Sequence, residues 1–86
     1  MSKKKRRYYH ENFKNLSVKI PWDDWIYILQ NCYGFEMIKR SGSERLFIKD
    51  KIRFTAHEPH GKGDDFVHKS DRKRAIREIE KSETKD

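Results

Sequence analysis

The chain has 86 residues, with 21 Lys and Arg against 14 Asp and Glu, and a formal net charge of +7. Aromatic residues make up 13% of the chain, which argues against a fully disordered protein. No apolar run approaches the roughly 20 residues of a membrane span, and the basic N-terminus lacks the apolar segment of a secretory signal. The single cysteine excludes an internal disulfide framework and a zinc site made of several cysteines. We therefore expect one small, basic, soluble and intracellular domain.

Most of the net charge lies near the N-terminus. Residues 1–20 hold seven cations and one anion, a net charge of +6, whereas residues 21–86 carry +1. A block of like charge repels itself, so residues 1–20 are expected to form a flexible arm. This arm could contact nucleic-acid phosphates, or serve only as a solubilising tail or a nuclear address. Its candidate phosphate-binding residues are Lys3, Lys4, Lys5, Arg6 and Arg7.

A helix is expected to follow the arm, with Pro21 in its first turn and Gly34 placed to end it. Apolar positions recur in this segment at helical spacing and predict core residues. These are Trp25, Ile28, Leu29 and Cys32.

Alternating apolar and polar residues then predict three strands, over residues 35–40, 45–49 and 52–57, joined by short turns. A second amphipathic helix is expected from about Ser70, a candidate N-cap. The predicted fold is α+β in the order α-β-β-β-α, a three-stranded antiparallel sheet with both helices on one face. The folded domain is expected over residues 21–82, before a frayed tail at 83–86.

Two stretches of this domain concentrate cations. Residues 39–53 and residues 69–77 each carry a local net charge of +4. They could contact phosphates, or form a solvated sheet face and a helix surface with compensating glutamates. Cations at a helix start also oppose the helix dipole, which favours a bound anion there. The loop between the two stretches adds one more cation, Lys62. The candidate nucleic-acid-binding residues of the domain are therefore Lys39, Arg40, Arg45, Lys49, Arg53, Lys62, Lys69, Arg72, Lys73 and Arg74.

Histidines and carboxylates follow the third predicted strand. Their spacing matches no established metal-ligand pattern, so we predict no metal and no cofactor. Histidine can act as a general acid or base near neutral pH, which makes His57 and His60 candidate catalytic residues. The alternative is a polar loop whose histidines only form hydrogen bonds.

Four short motifs lie along residues 22–79. They are Gly34-Phe35, Ser41-Gly42-Ser43-Glu44-Arg45-Leu46-Phe47, His57-Glu58-Pro59-His60-Gly61-Lys62 and Arg74-Ala75-Ile76-Arg77. With these motifs the chain resembles the HicA family of bacterial toxins. The resemblance implies a fold like that of double-stranded-RNA-binding domains, cleavage of mRNA and neutralisation by a HicB-type antitoxin. It leads us to expect a cytoplasmic protein, encoded by a bacterium or a phage, that acts on RNA as a metal-independent endoribonuclease.

The chain departs from the family at one position. The family typically has Gly-Ser-His at the start of the second strand, with the histidine catalytic, where this chain has Gly42-Ser43-Glu44. If the chain cleaves RNA, Glu44 would be the base for the 2′-hydroxyl, and His57 or His60 the acid for the leaving oxygen. Arg45 and Arg53 would then stabilise the charge on the phosphate.

Other interpretations stay open, because a carboxylate beside a polyanion repels the substrate. A catalytically altered relative would bind RNA without cleaving it. A protein of another class would be a non-enzymatic, phage-type inhibitor that binds a nucleic-acid-handling protein or its nucleic acid.

Overall fold

The computed structural model describes residues 3–59 and 65–84. Its elements are α1 (Lys3–Glu11), α2 (Trp22–Asn31), β1 (Glu36–Lys39), β2 (Glu44–Lys49), β3 (Ile52–His57) and α3 (Lys69–Thr84). The strands form one antiparallel sheet in the order β1-β2-β3. The predicted α+β class and α-β-β-β-α order are therefore confirmed, with α1 as an additional helix. No helix among the described residues is long and apolar enough to cross a membrane.

The strand register collects the large apolar side chains of the sheet on one face, called here the core face. Phe47 of β2 pairs with Met37 of β1 and with Phe54 of β3. Directly paired residues share a face. The ring of Trp25 in α2 lies with its centre 5.7 Å from that of Phe47 and 6.5 Å from that of Phe54. Ala75 and Ile79 of α3 belong to the same buried cluster, so both helices cover one face as predicted.

The first helix of the predicted domain begins one residue later than expected. Pro21 has φ −61° and ψ 146°, an extended conformation, and α2 starts at Trp22. The Pro21 carbonyl accepts the hydrogen bond of the Trp25 N–H at 3.0 Å. Pro21 therefore precedes the first turn instead of lying in it.

The end of α2 follows the prediction for Gly34 but not that for Cys32. Gly34 has φ +82°, a conformation that favours glycine, and the chain turns so that the Phe35 N–H donates to the Leu29 carbonyl at 2.8 Å. Cys32 is exposed, so its predicted place in the core is wrong. The helix ends at Asn31, and beyond that residue the side chains no longer follow the apolar stripe.

The prediction of a flexible arm over residues 1–20 is wrong for residues 3–20, which are part of the fold. A helix forms at Lys3–Glu11 although its first turn holds no acidic residue to offset the dipole. Phe13 and Ile20, which follow this helix, are 2% and 0% exposed. Burial of apolar side chains thus stabilises a segment in which local charge repulsion predicts disorder.

One ion pair joins α1 to α2. The Arg6 Nε lies 3.2 Å from a carboxylate oxygen of Asp24, whose side chain is fully buried. The guanidinium of Arg6 also lies 3.9 Å from the centre of the Tyr27 ring, a cation–π contact. Arg6, predicted to bind phosphate, is therefore engaged within the fold.

The last helix is longer than expected at both ends. It begins at Lys69, so Ser70 lies inside the first turn and is not the N-cap. It continues to Thr84, into the predicted tail, where a Glu83 carboxylate oxygen accepts a hydrogen bond from Lys14 at 3.0 Å. Residues 85 and 86 lie outside the described part of the chain.

We predict that Arg6→Ala lowers the free energy of unfolding by about 1–3 kcal/mol, because the buried Asp24 carboxylate would lose its hydrogen-bonded cation. Urea denaturation followed by circular dichroism measures this change. Arg7→Ala is the matched control, since Arg7 is the exposed neighbour in the same helix. Equal effects of the two substitutions would contradict the assigned role of the ion pair.

Candidate nucleic-acid interface

Arg72 is buried, with 3% of its surface exposed, and is not the exposed phosphate contact that the sequence predicted. Its guanidinium donates hydrogen bonds to the carbonyl oxygens of Phe13 at 2.9 Å, Asn15 at 3.0 Å and Val18. Burial lowers the pKa of Arg72, because removal of water disfavours the charged form. These bonds fasten α3 to the segment between α1 and α2.

The first turns of α3 also bind the free edge of β3. An Asp71 carboxylate oxygen accepts the hydrogen bond of the His57 N–H at 3.0 Å. The Arg74 guanidinium donates to the Thr55 carbonyl and to the Asp71 carboxylate, each at 3.1 Å. Arg74, a predicted phosphate contact, is therefore partly engaged in the fold, although 44% of its side chain is exposed.

The strand cations do not form one basic surface. Lys39 pairs with Arg45, and Arg45 with Ala56, so these cations lie on the core face at the margin of the sheet. Lys49 shares that face, whereas Arg53 lies on the opposite face, called here the outer face. Side-chain alternation thus divides the predicted patch between two sides.

Arg45 is further occupied by neighbouring groups. Its guanidinium lies 2.8 Å from a Glu58 carboxylate oxygen and donates to the carbonyl oxygens of Gly42 and Glu44. Only 12% of its side chain is exposed. The structure therefore does not offer Arg45 as a contact for a phosphate.

Three cations of α3 are exposed and share one face of the helix. Lys69, Lys73 and Arg77 recur every fourth residue, which places them in a row along the helix. We call this row the basic stripe. None of its three residues forms an ion pair within the described part of the chain.

The other end of α3 is compensated instead. Lys14 lies 3.6 Å from a Glu80 carboxylate oxygen and 3.0 Å from one of Glu83. The hydrogen bond to Glu83 raises the pKa of Lys14. The free positive charge of α3 is therefore concentrated in its first half.

Two of the three candidate catalytic residues lie side by side. Glu44, the first residue of β2, pairs directly with His57, the last residue of β3. Both lie on the outer face, and the Cβ atoms of directly paired residues are about 4.5–5.5 Å apart. Glu44 is partly exposed and His57 is exposed. His60, the other candidate acid, and Lys62 lie outside the described residues.

The two arginines that were expected to stabilise the phosphate charge are not available at this pair. The Arg45 guanidinium adjoins it, since it donates to the Glu44 carbonyl, but it is occupied by Glu58. Arg53 lies four residues from His57, roughly 13 Å along the strand. Arg74, which was not considered for this role, also reaches this end of the sheet, through the Thr55 carbonyl.

The remaining predicted cations are dispersed. Arg40 follows β1 in an exposed turn, and Lys5 is exposed on α1. Arg7 lines a cavity of about 320 Å³ together with Arg6, His10, Tyr27 and Cys32. Lys3 and Lys4 lie in the first turn of α1.

Sequence reasoning did not select Lys19 or Phe66, which the fold brings together. The Lys19 Nζ lies 5.7 Å from the centre of the Phe66 ring. An isolated bridge between Pro21 and Phe66 aligns the two segments. The only feature of the sequence that indicates a contact here is Phe66, an aromatic residue within a polar loop. Its partner Lys19 lies 47 positions away, so the sequence does not show which residue it meets.

The described residues contain no group of three His, Cys, Asp or Glu side chains that could hold a metal ion. No protein-family model, curated protein or solved structure matches this chain. The placement of charge and of the Glu44–His57 pair therefore provides the basis for a functional proposal.

We predict that Arg72→Lys lowers the free energy of unfolding by about 2–4 kcal/mol, because an ammonium group cannot reproduce the planar fork that binds several carbonyl groups. Lys73→Ala, one residue along the same helix, should change it by less than about 0.5 kcal/mol. Urea denaturation compares the two variants. A loss in Arg72→Lys no greater than that in Lys73→Ala would refute the structural role of Arg72.

Proposed function

We propose that this protein binds RNA through the first half of α3. The observation that carries the proposal is the basic stripe of Lys69, Lys73 and Arg77, which is exposed and without ion pairs among the described residues. Cations arranged in this way bind a nucleic-acid backbone and release its counterions. The basic stripe is a smaller binding surface than the two cation-rich stretches of the sequence predicted. The cations of the strands are not part of it, because they lie on both faces of the sheet.

RNA is proposed as the ligand because of the resemblance to HicA toxins. The order α-β-β-β-α over α2–α3 agrees with the fold that this resemblance implies. The same resemblance supports a HicB-type antitoxin or another protein as a partner. Such a partner would cover the outer face of the sheet, where Ile38 is 38% exposed beside the paired residue Leu46.

Metal-independent cleavage at Glu44 and His57 is the second part of the proposal. Glu44 would remove the proton of a 2′-hydroxyl, and the oxygen would attack the adjacent phosphorus. The P–O bond to the 5′-oxygen would break as His57 donates a proton to that oxygen. The products would be a 2′,3′-cyclic phosphate and a 5′-hydroxyl.

The pair and the basic stripe both lie near the start of α3. The His57 N–H donates to Asp71 in the first turn of α3, two residues from Lys69 and from Lys73. At 3.6 residues per turn Asp71 lies about 160° around the helix from both, so a bound strand would reach the pair by passing over the N-terminal end of α3. Because Arg45 is occupied by Glu58 and Arg53 lies farther along β3, we assign the stabilisation of phosphate charge to Arg74, whose side chain is 44% exposed.

Replacing Lys73 and Arg77 together with Ala should weaken RNA binding by about tenfold or more at low salt. The slope of log K against log salt should fall in magnitude by about 1.4, since each contact with a single-strand phosphate contributes about 0.7. Fluorescence anisotropy with a labelled single-stranded RNA at several salt concentrations measures both quantities.

The matched control replaces Lys51, in the β2–β3 turn, and Lys81, in the last part of α3, together with Ala. It removes the same charge near the other end of α3. If the control flattens the slope as much as the stripe variant, binding depends only on net charge and the proposed surface is wrong.

Glu44→Gln should reduce metal-independent RNA cleavage by at least about 100-fold, the usual contribution of a general base. RNA binding should persist in this variant, because the substitution removes a negative charge. Gel analysis of RNA cleavage in the presence of a chelator provides the measurement. Glu36→Gln, on the same face of β1, is the control and should keep full activity. Wild-type protein that binds RNA but leaves it intact would refute cleavage and identify a catalytically altered relative.

A further inference from the structure

A cavity of about 210 Å³ lies between the start of α3 and the segment that precedes α2. It forms because the Val67 N–H donates to the Ile20 carbonyl at 2.9 Å, which holds the two segments together. Among the described residues its lining includes no carboxylate. The polar and aromatic groups that line it are Lys19, Phe66, His68, Lys69 and Arg72.

The buried charge of Arg72 has no counter-charge in this part of the structure. Its hydrogen-bond acceptors are uncharged carbonyl groups, and its Nε is buried without a hydrogen-bond partner. No described carboxylate forms an ion pair with it. A buried cation without an opposite charge is unfavourable, so an anion in the adjoining cavity would supply the missing charge.

The backbone at this end of α3 supplies hydrogen-bond donors as well. The Arg72 N–H donates to the His68 carbonyl at 3.0 Å, which is the first turn of hydrogen bonding in the helix. The N–H groups of residues 69–71 precede that bond and have no acceptor within the helix. Donors at a helix N-terminus and the positive end of its dipole favour an anion.

An aromatic side chain adjoins these positive groups. Phe66 is 36% exposed, although most large apolar residues of the chain are buried. The Lys19 Nζ lies 5.7 Å from the centre of its ring. A cation beside an exposed ring is the combination that binds a phosphate together with an unpaired nucleobase.

We propose that this cavity binds a phosphate group of an RNA strand, with an adjacent unpaired base against Phe66. Lys19 and Lys69 flank the phosphate, and Arg72 provides buried positive charge behind it. The RNA source of the phosphate rests on the proposed function. The anion site itself rests on the cavity and on Arg72.

The anion site is tested by titrating the full chain with inorganic phosphate at constant ionic strength, followed by ¹⁵N-resolved NMR. Saturable shifts are expected at the backbone amides of residues 69–71 and at the Nε–H of Arg72. Lys19→Glu should raise the dissociation constant by about tenfold, the usual value of a hydrogen bond to a charged group. Lys51→Glu makes the same change of charge in the β2–β3 turn and should leave it unchanged.

Two outcomes of this titration would overturn the site. Equal effects of Lys19→Glu and Lys51→Glu would show a response to net charge alone. Shifts that do not saturate and that spread over the lysines of the whole chain would show an adventitious ion only. Arg72 is left unchanged in this test because its replacement is expected to destabilise the fold.

The RNA assignment is tested with a short single-stranded oligouridylate. Phe66→Ala should weaken its binding by about tenfold through the loss of base stacking, without changing the affinity for inorganic phosphate. Tyr8→Ala is the control, since Tyr8 is an exposed aromatic residue of α1.

The outcomes separate this inference from the proposed function. If oligouridylate binding depends on Lys73 and Arg77 but not on Lys19 or Phe66, RNA binding stands and the cavity is not its phosphate site. If inorganic phosphate saturates the cavity while oligouridylate does not bind at all, RNA is refuted as the source of the phosphate together with the proposed function.

Discussion

A guanidinium group without a carboxylate partner occupies the junction between α3 and the segment that joins α1 to α2. The Arg72 guanidinium donates hydrogen bonds to the carbonyl oxygens of four residues, and these bonds take the place of bonds to water. The four are Asn12, Phe13, Asn15 and Val18. Buried carbonyl groups must be hydrogen-bonded, and a planar fork with several donors satisfies more of them than any other side chain. The path of the chain between the first two helices therefore depends on a residue of the last one.

This junction determines where α3 presents its charge. Arg72 fastens one side of its first turns to the N-terminal segment, while Asp71 and Arg74 bind the edge of β3 on the other. Residues on the remaining face of the helix are left for solvent, and Lys69 and Lys73 lie there. The basic stripe therefore faces solvent, on the side of α3 away from its contacts with β3. Arg72 and Arg74 bind groups within the fold, and Lys69 and Lys73 are exposed, according to the face of the helix on which each lies.

The Glu44–His57 pair depends on strand register in the same way. Side chains alternate along a strand, so a slip of one residue between β2 and β3 would place these two on opposite faces. The apolar pairing of Phe47 with Phe54 in the core fixes the register, since a slip would move one of the two rings to the outer face. The packing of the core therefore brings together the two polar residues to which we assign the chemistry.

Periodicity in the sequence was sufficient to predict α2, the three strands and α3. Each of these elements buries one face, and the spacing of its apolar residues indicates which residues lie on that face. Alternation along β3 also suffices to place Arg53, Thr55 and His57 on one face, since it is a local property of a single strand. Periodicity did not predict α1, whose cations repel one another locally and of which Arg6 is held by Asp24 and Tyr27 of the next helix.

The partners of each cation were decided by tertiary structure. The carbonyl groups bound by Arg72 lie 54 to 60 positions away, and Lys19 meets Phe66 across a similar separation. Helical spacing places Arg72 on the same face as Ala75 and Ile79 and places Lys73 off it, but it does not indicate which groups a buried Arg72 would bind. The sequence by itself determined the elements and their order, because these follow from local spacing. Only the folded chain decided which positive charges bind groups of the fold and which remain exposed, because burial and hydrogen bonding depend on residues distant in sequence.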